Sequence, residues 1–262
     1  MIQELLKELA QLDGVEAVAL GGSRAGDRYD EKSDYDIYLY CRGPADEEKR
    51  RELLKRYCSH MEIGNHYWEL EDNCTLSSGV DIDILYRCLE DFVEGVAQVV
   101  EGHQAHNGYT TCMWHNLLTC RILYDPHGKL QAAKKRFDVA YPQALRENII
   151  IRNRKLLGGC LPSYDLQIQK AAGRMDQVSL CHRTAAFMES YFDVIFALNR
   201  LTHPGEKRLV SLCMERCSFL PERFEENIEA LYESLFSCPQ RAEDHLRRMI
   251  GALDCVLEQE GF

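Results

Sequence analysis

Residues 20–40 read LGGSRAGDRYDEKSDYDIYLY, and this stretch decides the fold. Gly21-Gly22-Ser23 closes a short apolar run, Val15 to Leu20 (VEAVAL), that reads as a buried strand. Eleven residues after Ser23, Asp34 and Asp36 sit two apart in the alternating run Ser33-Asp34-Tyr35-Asp36-Ile37. Successive side chains of a strand point to opposite faces, so the two aspartates project together while Tyr35 and Ile37 go to the other side. Adjacent carboxylates on one face repel each other, and divalent metal ions are the usual physical reason to tolerate that. A bare Asp-x-Asp is equally an acidic pair on the wet face of an edge strand. The turn upstream shifts the balance, because glycines let the backbone approach a ligand closely and its N–H groups can hold a phosphate. The next residues, Arg24 to Tyr29, read as a helix start whose positive dipole end faces the same point, with Arg24 and Arg28 as available cations.

A second acidic strand follows at Gly79 to Tyr86 (GVDIDILY), where Asp81 and Asp83 alternate strictly with apolar residues and so share one face. A carboxylate there can bridge a metal or remove the proton from an attacking hydroxyl. The residues leave both roles open.

A hydrophobic residue, Gly21-Gly22-Ser23, and then Asp34-Tyr35-Asp36 after a short spacer resemble the nucleotidyltransferase signature of the DNA polymerase β superfamily, over roughly the first half of the chain. Small-molecule members, such as aminoglycoside and lincosamide nucleotidyltransferases with a helical C-terminal half, look most similar. The resemblance implies transfer of a nucleoside monophosphate, AMP from ATP, to a hydroxyl of a small-molecule acceptor, with release of pyrophosphate. It implies that Asp34 and Asp36 bind Mg²⁺ and that Gly22 and Ser23 contact the β and γ phosphates; the Gly21 backbone and Arg24 are read from the turn itself as further contacts to the triphosphate. It also asks for a third acid, here Asp83 with Asp81 in reserve, and for a basic residue from the helical half, Lys207 or Arg208. Three other readings stand beside it: an enzyme adding AMP to a protein side chain, a non-catalytic nucleotide-binding regulator, and an interaction protein whose acids are all surface.

The composition supports a folded protein and narrows its partners. The chain has 262 residues, 45% of them hydrophobic, enough for one large or two medium domains. A net charge of −11 opposes broad binding to nucleic acid, which needs a basic footprint. No apolar run approaches the roughly eighteen residues of a membrane span, and MIQELLKELAQLDG reads as an amphipathic helix rather than a signal peptide. The expectation is a cytoplasmic protein without membrane or nucleic-acid partners. The twelve scattered cysteines, with no Cys-x-x-Cys pair, read as reduced thiols. His103, His106, Cys112, His115 and Cys120 lack the paired close ligands of a structural zinc site and read as core cysteines and surface histidines.

The organisation is α+β: a small mixed sheet with flanking helices over residues 1–138, then an all-α helical bundle over 139–262. The spacing of Leu53, Leu54, Tyr57 and Met61 predicts a helix from Asp46 to Met61, followed by a strand from His66 to Leu70. A helix from Leu89 to Glu101, a strand from Cys120 to Tyr124 and a helix from Lys129 to Phe137 complete the first half. Amphipathic segments then run over Gln143–Leu157, Leu166–Asn199 with a break, Lys207–Cys217, Glu222–Phe236 and Gln240–Glu260. Within the second of these, Glu189 and Asp193 share a helix with His182 and Arg183; they either serve structure or form an acidic pair that attracts a cationic acceptor. Tyr67, Trp68, Glu69 and Glu71, just before the second acidic strand, have a comparable claim to lining an acceptor pocket.

Overall fold

The computed structural model describes residues 2–26, 33–43, 45–67 and 69–262. The chain divides into two compact units, Met1–Gln98 with Met113–Val139, and Val99–Cys112 with Ala140–Phe262. Among the described residues, no helix is long and apolar enough to cross a membrane.

The first unit is built on a six-stranded mixed sheet with flanking helices. In chain order its elements are α1 (Ile2–Leu9), β1 (Val15–Leu20), the single turn α2 (Gly22–Ala25), β2 (Tyr35–Cys41), α3 (Glu47–Leu54), β3 (Cys58–Asn65), β4 (Leu70–Leu76), β5 (Asp81–Arg87), α4 (Leu89–Val100), α5 (Cys112–Thr119), β6 (Arg121–Tyr124) and α6 (Lys129–Phe137). The strand order is β3-β4-β5-β2-β1-β6. Only the central β2–β5 pair is parallel among these neighbours. A parallel pair needs a crossover, and α3 with the β3–β4 hairpin supplies it. Alternation along the strands sends Val18, Leu20, Ile37, Leu39, Ile82 and Ile84 to one face, where they join Leu5 and Leu9 of α1 and Leu53 and Leu54 of α3 in the core. Each such fully buried leucine or isoleucine contributes about 1.5–3 kcal/mol of transfer free energy. The same alternation commits Asp36, Tyr38, Tyr40, Asp81 and Asp83 to the opposite face.

The structure departs from the expected pattern at two elements. The helix predicted over Asp46–Met61 stops at Leu54, and Cys58 to Asn65 is a strand. Three-residue closures, Arg56 N–H to the Leu53 carbonyl and Tyr57 N–H to the Leu54 carbonyl, end the helix, and Tyr57 Oη is drawn to Glu8 Oε1 at 2.8 Å. Met61 and Ile63 reach the core at strand spacing rather than helical spacing. The strand predicted at His66–Leu70 is replaced by β4 from Leu70, with His66 and Tyr67 in the connection from β3. A buried ion pair locks this hairpin to α3. Arg50 Nη1 donates to Asp72 Oδ1 at 2.7 Å, Gly64 N–H donates to the same oxygen at 2.9 Å, and Tyr86 Oη donates to Asp72 Oδ2 at 2.8 Å.

The second unit is helical: α7 (Gln143–Leu157), α8 (Tyr164–Gly173), α9 (Gln177–Leu198), α10 (Leu209–Arg216), α11 (Phe224–Ser237) and α12 (Ala242–Gln259), with a short 3-10 turn at Pro239–Arg241. Helix α9 is its core. From Phe187 to Leu198 every residue except Glu189 is buried, the pattern of a helix surrounded by others. Asp193 on this helix is buried too, and accepts from Thr110 N–H at 3.1 Å, Thr110 Oγ1 at 2.6 Å and Asn153 Nδ2 at 3.1 Å. Of the two readings of Glu189 and Asp193, Asp193 takes the structural one: it ties residues 99–112 to the bundle.

Candidate active site

The turn after β1 is shaped by contacts that only glycine allows. Gly21 N–H donates to the Asp36 carbonyl at 2.8 Å, which fixes the turn against β2. A Cβ on Gly21 would stand 2.1 Å from the Tyr38 ring. Gly22 has φ +58°, and a Cβ there would stand 1.7 Å from Asp36 Oδ2. Glycine is thus required twice, once by a packed ring and once by a carboxylate and a left-handed backbone. The helical turn α2 begins at Gly22, two residues before the expected start, with Ser23 exposed on it. Asp27, Arg28 and Tyr29, also assigned to that helix from the sequence, lie outside the described residues.

Opposite the turn, three carboxylates converge. Asp34 precedes β2, Asp36 lies in it, and Asp36 is the register partner of Asp83 on β5. One oxygen from each of Asp34, Asp36 and Asp83 lies within 4.8 Å of the other two, and all three residues are half-buried. At an effective dielectric of about 20, two unit charges roughly 4 Å apart repel by about 4 kcal/mol, a repulsion that a bound cation would relieve. The donor set is three hard carboxylate oxygens, which fits Mg²⁺ or Mn²⁺. Asp81 is not part of this group; it is exposed, and Thr75 Oγ1 donates to its Oδ1 at 2.8 Å.

Residues 2–97, which hold the turn and all three acids, match the family described as nucleotidyltransferase domain. The chain carries a nucleotidyltransferase domain. Residues 109–209 match a domain of unknown function, DUF4037. No curated protein matches the chain. Among solved structures, the chain is similar to a nucleotidyltransferase-like protein from Exiguobacterium sibiricum 255-15, at 10% identity and TM-score 0.43, covering 99% of this chain and 76% of that one. It is also similar to an aminoglycoside 6-adenyltransferase from Bacillus subtilis (10% identity, TM-score 0.30, 98% and 90% covered). A third likeness is to spectinomycin adenyltransferase AAD(9) from Enterococcus faecialis with ATP and spectinomycin (12% identity, TM-score 0.33, 97% and 96% covered). Overall likenesses this distant carry no argument about substrate.

Behind the turn, the nucleotidyltransferase domain contains a brace that sequence reasoning missed. The Arg87 guanidinium stacks 4.1 Å from the centre of the Tyr38 ring, the ring that abuts Gly21. Arg87 is held by Glu69 through Nε–Oε2 at 2.6 Å and Nη2–Oε1 at 2.8 Å. It also donates to Asn116 Oδ1 at 3.2 Å, and Asn116 Nδ2 donates to Tyr38 Oη at 2.8 Å. Burial raises the Tyr38 phenol above its ordinary pKa, so it stays neutral beneath the guanidinium. Glu69 therefore serves Arg87. Glu71 is buried on β4, Tyr67 is exposed, and Trp68 lies outside the described residues. Asn116 sits 78 residues from its partner, and no local pattern announces it.

Arg24 also has structural work inside the domain. Its Nε donates to the Ser33 carbonyl at 2.7 Å and the Asp34 carbonyl at 3.1 Å, and its guanidinium lies 4.1 Å from the Tyr35 ring centre. It thereby holds the backbone that delivers Asp34. Lys207 and Arg208 belong to the second unit and are exposed, with Arg208 in a left-handed conformation capping α10. All twelve cysteines are free thiols, and the triad of aspartates is the one potential metal group among the described residues, so the His103–Cys120 set forms none there.

Proposed function

We propose that the chain is a Mg²⁺-dependent nucleotidyltransferase that moves AMP from ATP to a hydroxyl of a small-molecule acceptor and releases pyrophosphate. The observation that carries this reading is the convergence of Asp34, Asp36 and Asp83 within 4.8 Å, beside a turn tied to Asp36. When bound, Mg²⁺ would neutralise charge on the triphosphate and polarise the phosphorus under attack. Asp34, Asp36 and Asp83 would hold it. Gly21 and Gly22 let the turn pack against Tyr38 and Asp36, which leaves Gly22 and Ser23 exposed beside the acids, where Ser23 would supply a hydroxyl donor to phosphate oxygens. Arg24 keeps Asp34 in place through the two carbonyls it binds. Lys207 and Arg208 are assigned as counter-charges for the triphosphate, and replacing both with alanine is expected to raise the KM for ATP severalfold. The net charge of −11 disfavours a polyanionic acceptor and suits a neutral or cationic one.

Pyrophosphate release from ATP with Mg²⁺, across a panel of aminoglycosides, lincosamides and hydroxylated metabolites, tests the proposal directly. The expected result is acceptor-dependent release that chelation abolishes and that Asp36→Ala lacks. Full activity in Asp36→Ala would sink the assignment.

A further inference from the structure

The polar face of the sheet carries a row of hydrogen bonds that ends on Asp83. Asn73 of β4 is the register partner of Asp83 on β5, and its Nδ2 donates to Asp83 Oδ1 at 2.7 Å. Asn73 Oδ1 accepts from Asn65 Nδ2 at 2.8 Å, and the same nitrogen donates to Glu62 Oε2 at 3.2 Å. Both ends of the row are carboxylates, which only accept when ionised, so the orientation of each amide is forced. Asn65 must turn its nitrogen toward Glu62; Asn73 must then offer its oxygen to Asn65 and its nitrogen to Asp83. The β3–β4 register shifts between Glu62 and Asn65, where Gly64 has φ +78°. Such a bulge re-aims a side chain, here that of Asn65, and is a device often found beside active sites.

We propose that Asn73, itself oriented by Asn65, is a positioning residue that fixes the Asp83 carboxylate for the divalent metal of nucleotidyl transfer; this rests on the reading of Asp34, Asp36 and Asp83 given above. An N–H donated to one carboxylate oxygen restrains rotation of the group and offsets part of the repulsion from the neighbouring acids. Asp83 is thereby held ready at the point where three negative groups would otherwise turn apart. Thr75, one rung along on the same strand, makes the same kind of bond to Asp81, outside the triad. The two rungs form a natural pair for comparison.

Mn²⁺ binding to the full chain, read from the loss of the free-ion electron paramagnetic resonance signal, separates the possibilities, with circular dichroism confirming the fold of each variant. Asp36→Asn and Asp83→Asn are expected to weaken Mn²⁺ binding most. Asn73→Leu should weaken it about tenfold or more, the usual effect of losing a partner that orients a ligand, and lower kcat with little change in the KM for ATP. Asn65→Ala should move both quantities the same way by less, and it carries the test if Asn73→Leu does not fold. Thr75→Val should bind Mn²⁺ as wild type does. Wild-type binding by both asparagine variants, with loss in Asp83→Asn, overturns the role of Asn73 and leaves the triad intact. An equal loss in Thr75→Val overturns it as well, since sheet rigidity would then explain both. Wild-type binding in Asp36→Asn and Asp83→Asn overturns the triad reading and the Asn73 role together.

Discussion

Two sets of aspartates in this chain meet opposite environments. Asp72 and Asp193 are buried, and each is surrounded by donors: Arg50, Gly64 N–H and Tyr86 for the first, Thr110 and Asn153 for the second. Asp34, Asp36 and Asp83 are half-buried and face one another. A carboxylate enclosed by donors is a structural joint, because removing it leaves those donors unpaired in a dry interior. A carboxylate aimed at two others opposes folding unless something positive joins them. The difference separates acids that hold the molecule together from acids that the molecule must hold in place.

Substitution breaks this contrast in opposite directions. The largest expected effect is on chemistry: Asp36→Asn should abolish nucleotidyl transfer while its melting temperature without metal stays level or rises, because a repelling charge is gone. Added Mg²⁺ should raise the melting temperature of wild type and not that of the variant, as ligand binding to the folded state requires. A variant that loses activity and melts much lower would class Asp36 with the structural acids instead. For Asp72→Ala the order reverses. It strands Arg50, whose side chain is 3% exposed, and should cost about 3–5 kcal/mol in urea unfolding. A loss under about 1 kcal/mol would show that the pair is not a joint.

Much of the candidate site is legible in the sequence, and the reason is local. Gly21-Gly22-Ser23 and Asp34-x-Asp36 lie within one stretch, and the alternation in Asp81–Ile84 puts Asp81 and Asp83 on one face of their strand; that Asp83 is the one to meet Asp34 and Asp36 follows only from the β2–β5 register. Helices α6 and α7 have the bounds their periodicity predicts, Lys129–Phe137 and Gln143–Leu157. The β3–β4 hairpin is not legible. Met61 continues a helical spacing begun at Leu53, and β4 hides two acids, Glu71 and Asp72, among its buried positions. Burial of Asp72 depends on Arg50 and Tyr86, 22 and 14 residues away, which a periodicity window cannot see. Asn73 and Asn116 escape for the same reason: an asparagine reads as a turn or surface residue until its tertiary partner is known.

Asp193 offers a test in which pH does the substituting. Burial pushes its carboxyl up to about 7, outweighing the Thr110 and Asn153 donors, against about 3.9 for an unfolded aspartate. Between those values the folded unit binds a proton that the unfolded chain does not. The contribution is therefore complete below about pH 4 and is lost as pH rises through about 7. Tyr141, close by and also raised by burial, stays neutral throughout this range. Urea unfolding should show stability falling by on the order of 2 kcal/mol between pH 5.5 and 8, with Asp193→Asn flattening the profile. An unchanged slope in the variant would assign the titration to another group.

The smallest expected effect falls on Asp81, and it sharpens the comparison most finely. Asp81 and Asp83 share a strand and a face, two residues apart, and each accepts one bond from β4, from Thr75 and Asn73 respectively. What separates them is position: Asp83 lies level with Asp36 across the parallel pair, whereas Asp81 lies one step beyond the end of that register and is exposed. Asp81→Asn keeps the shape and loses only the charge, so it should shift the melting temperature by no more than about 1–2 °C. Nucleotidyl transfer should stay within about twofold of wild type, since Asp81 is exposed and contributes no oxygen to the triad. If Asp81→Asn instead removed activity and Asp83→Asn kept it, the third acid would be Asp81, and the strand would have to shift by two residues to bring it level with Asp36.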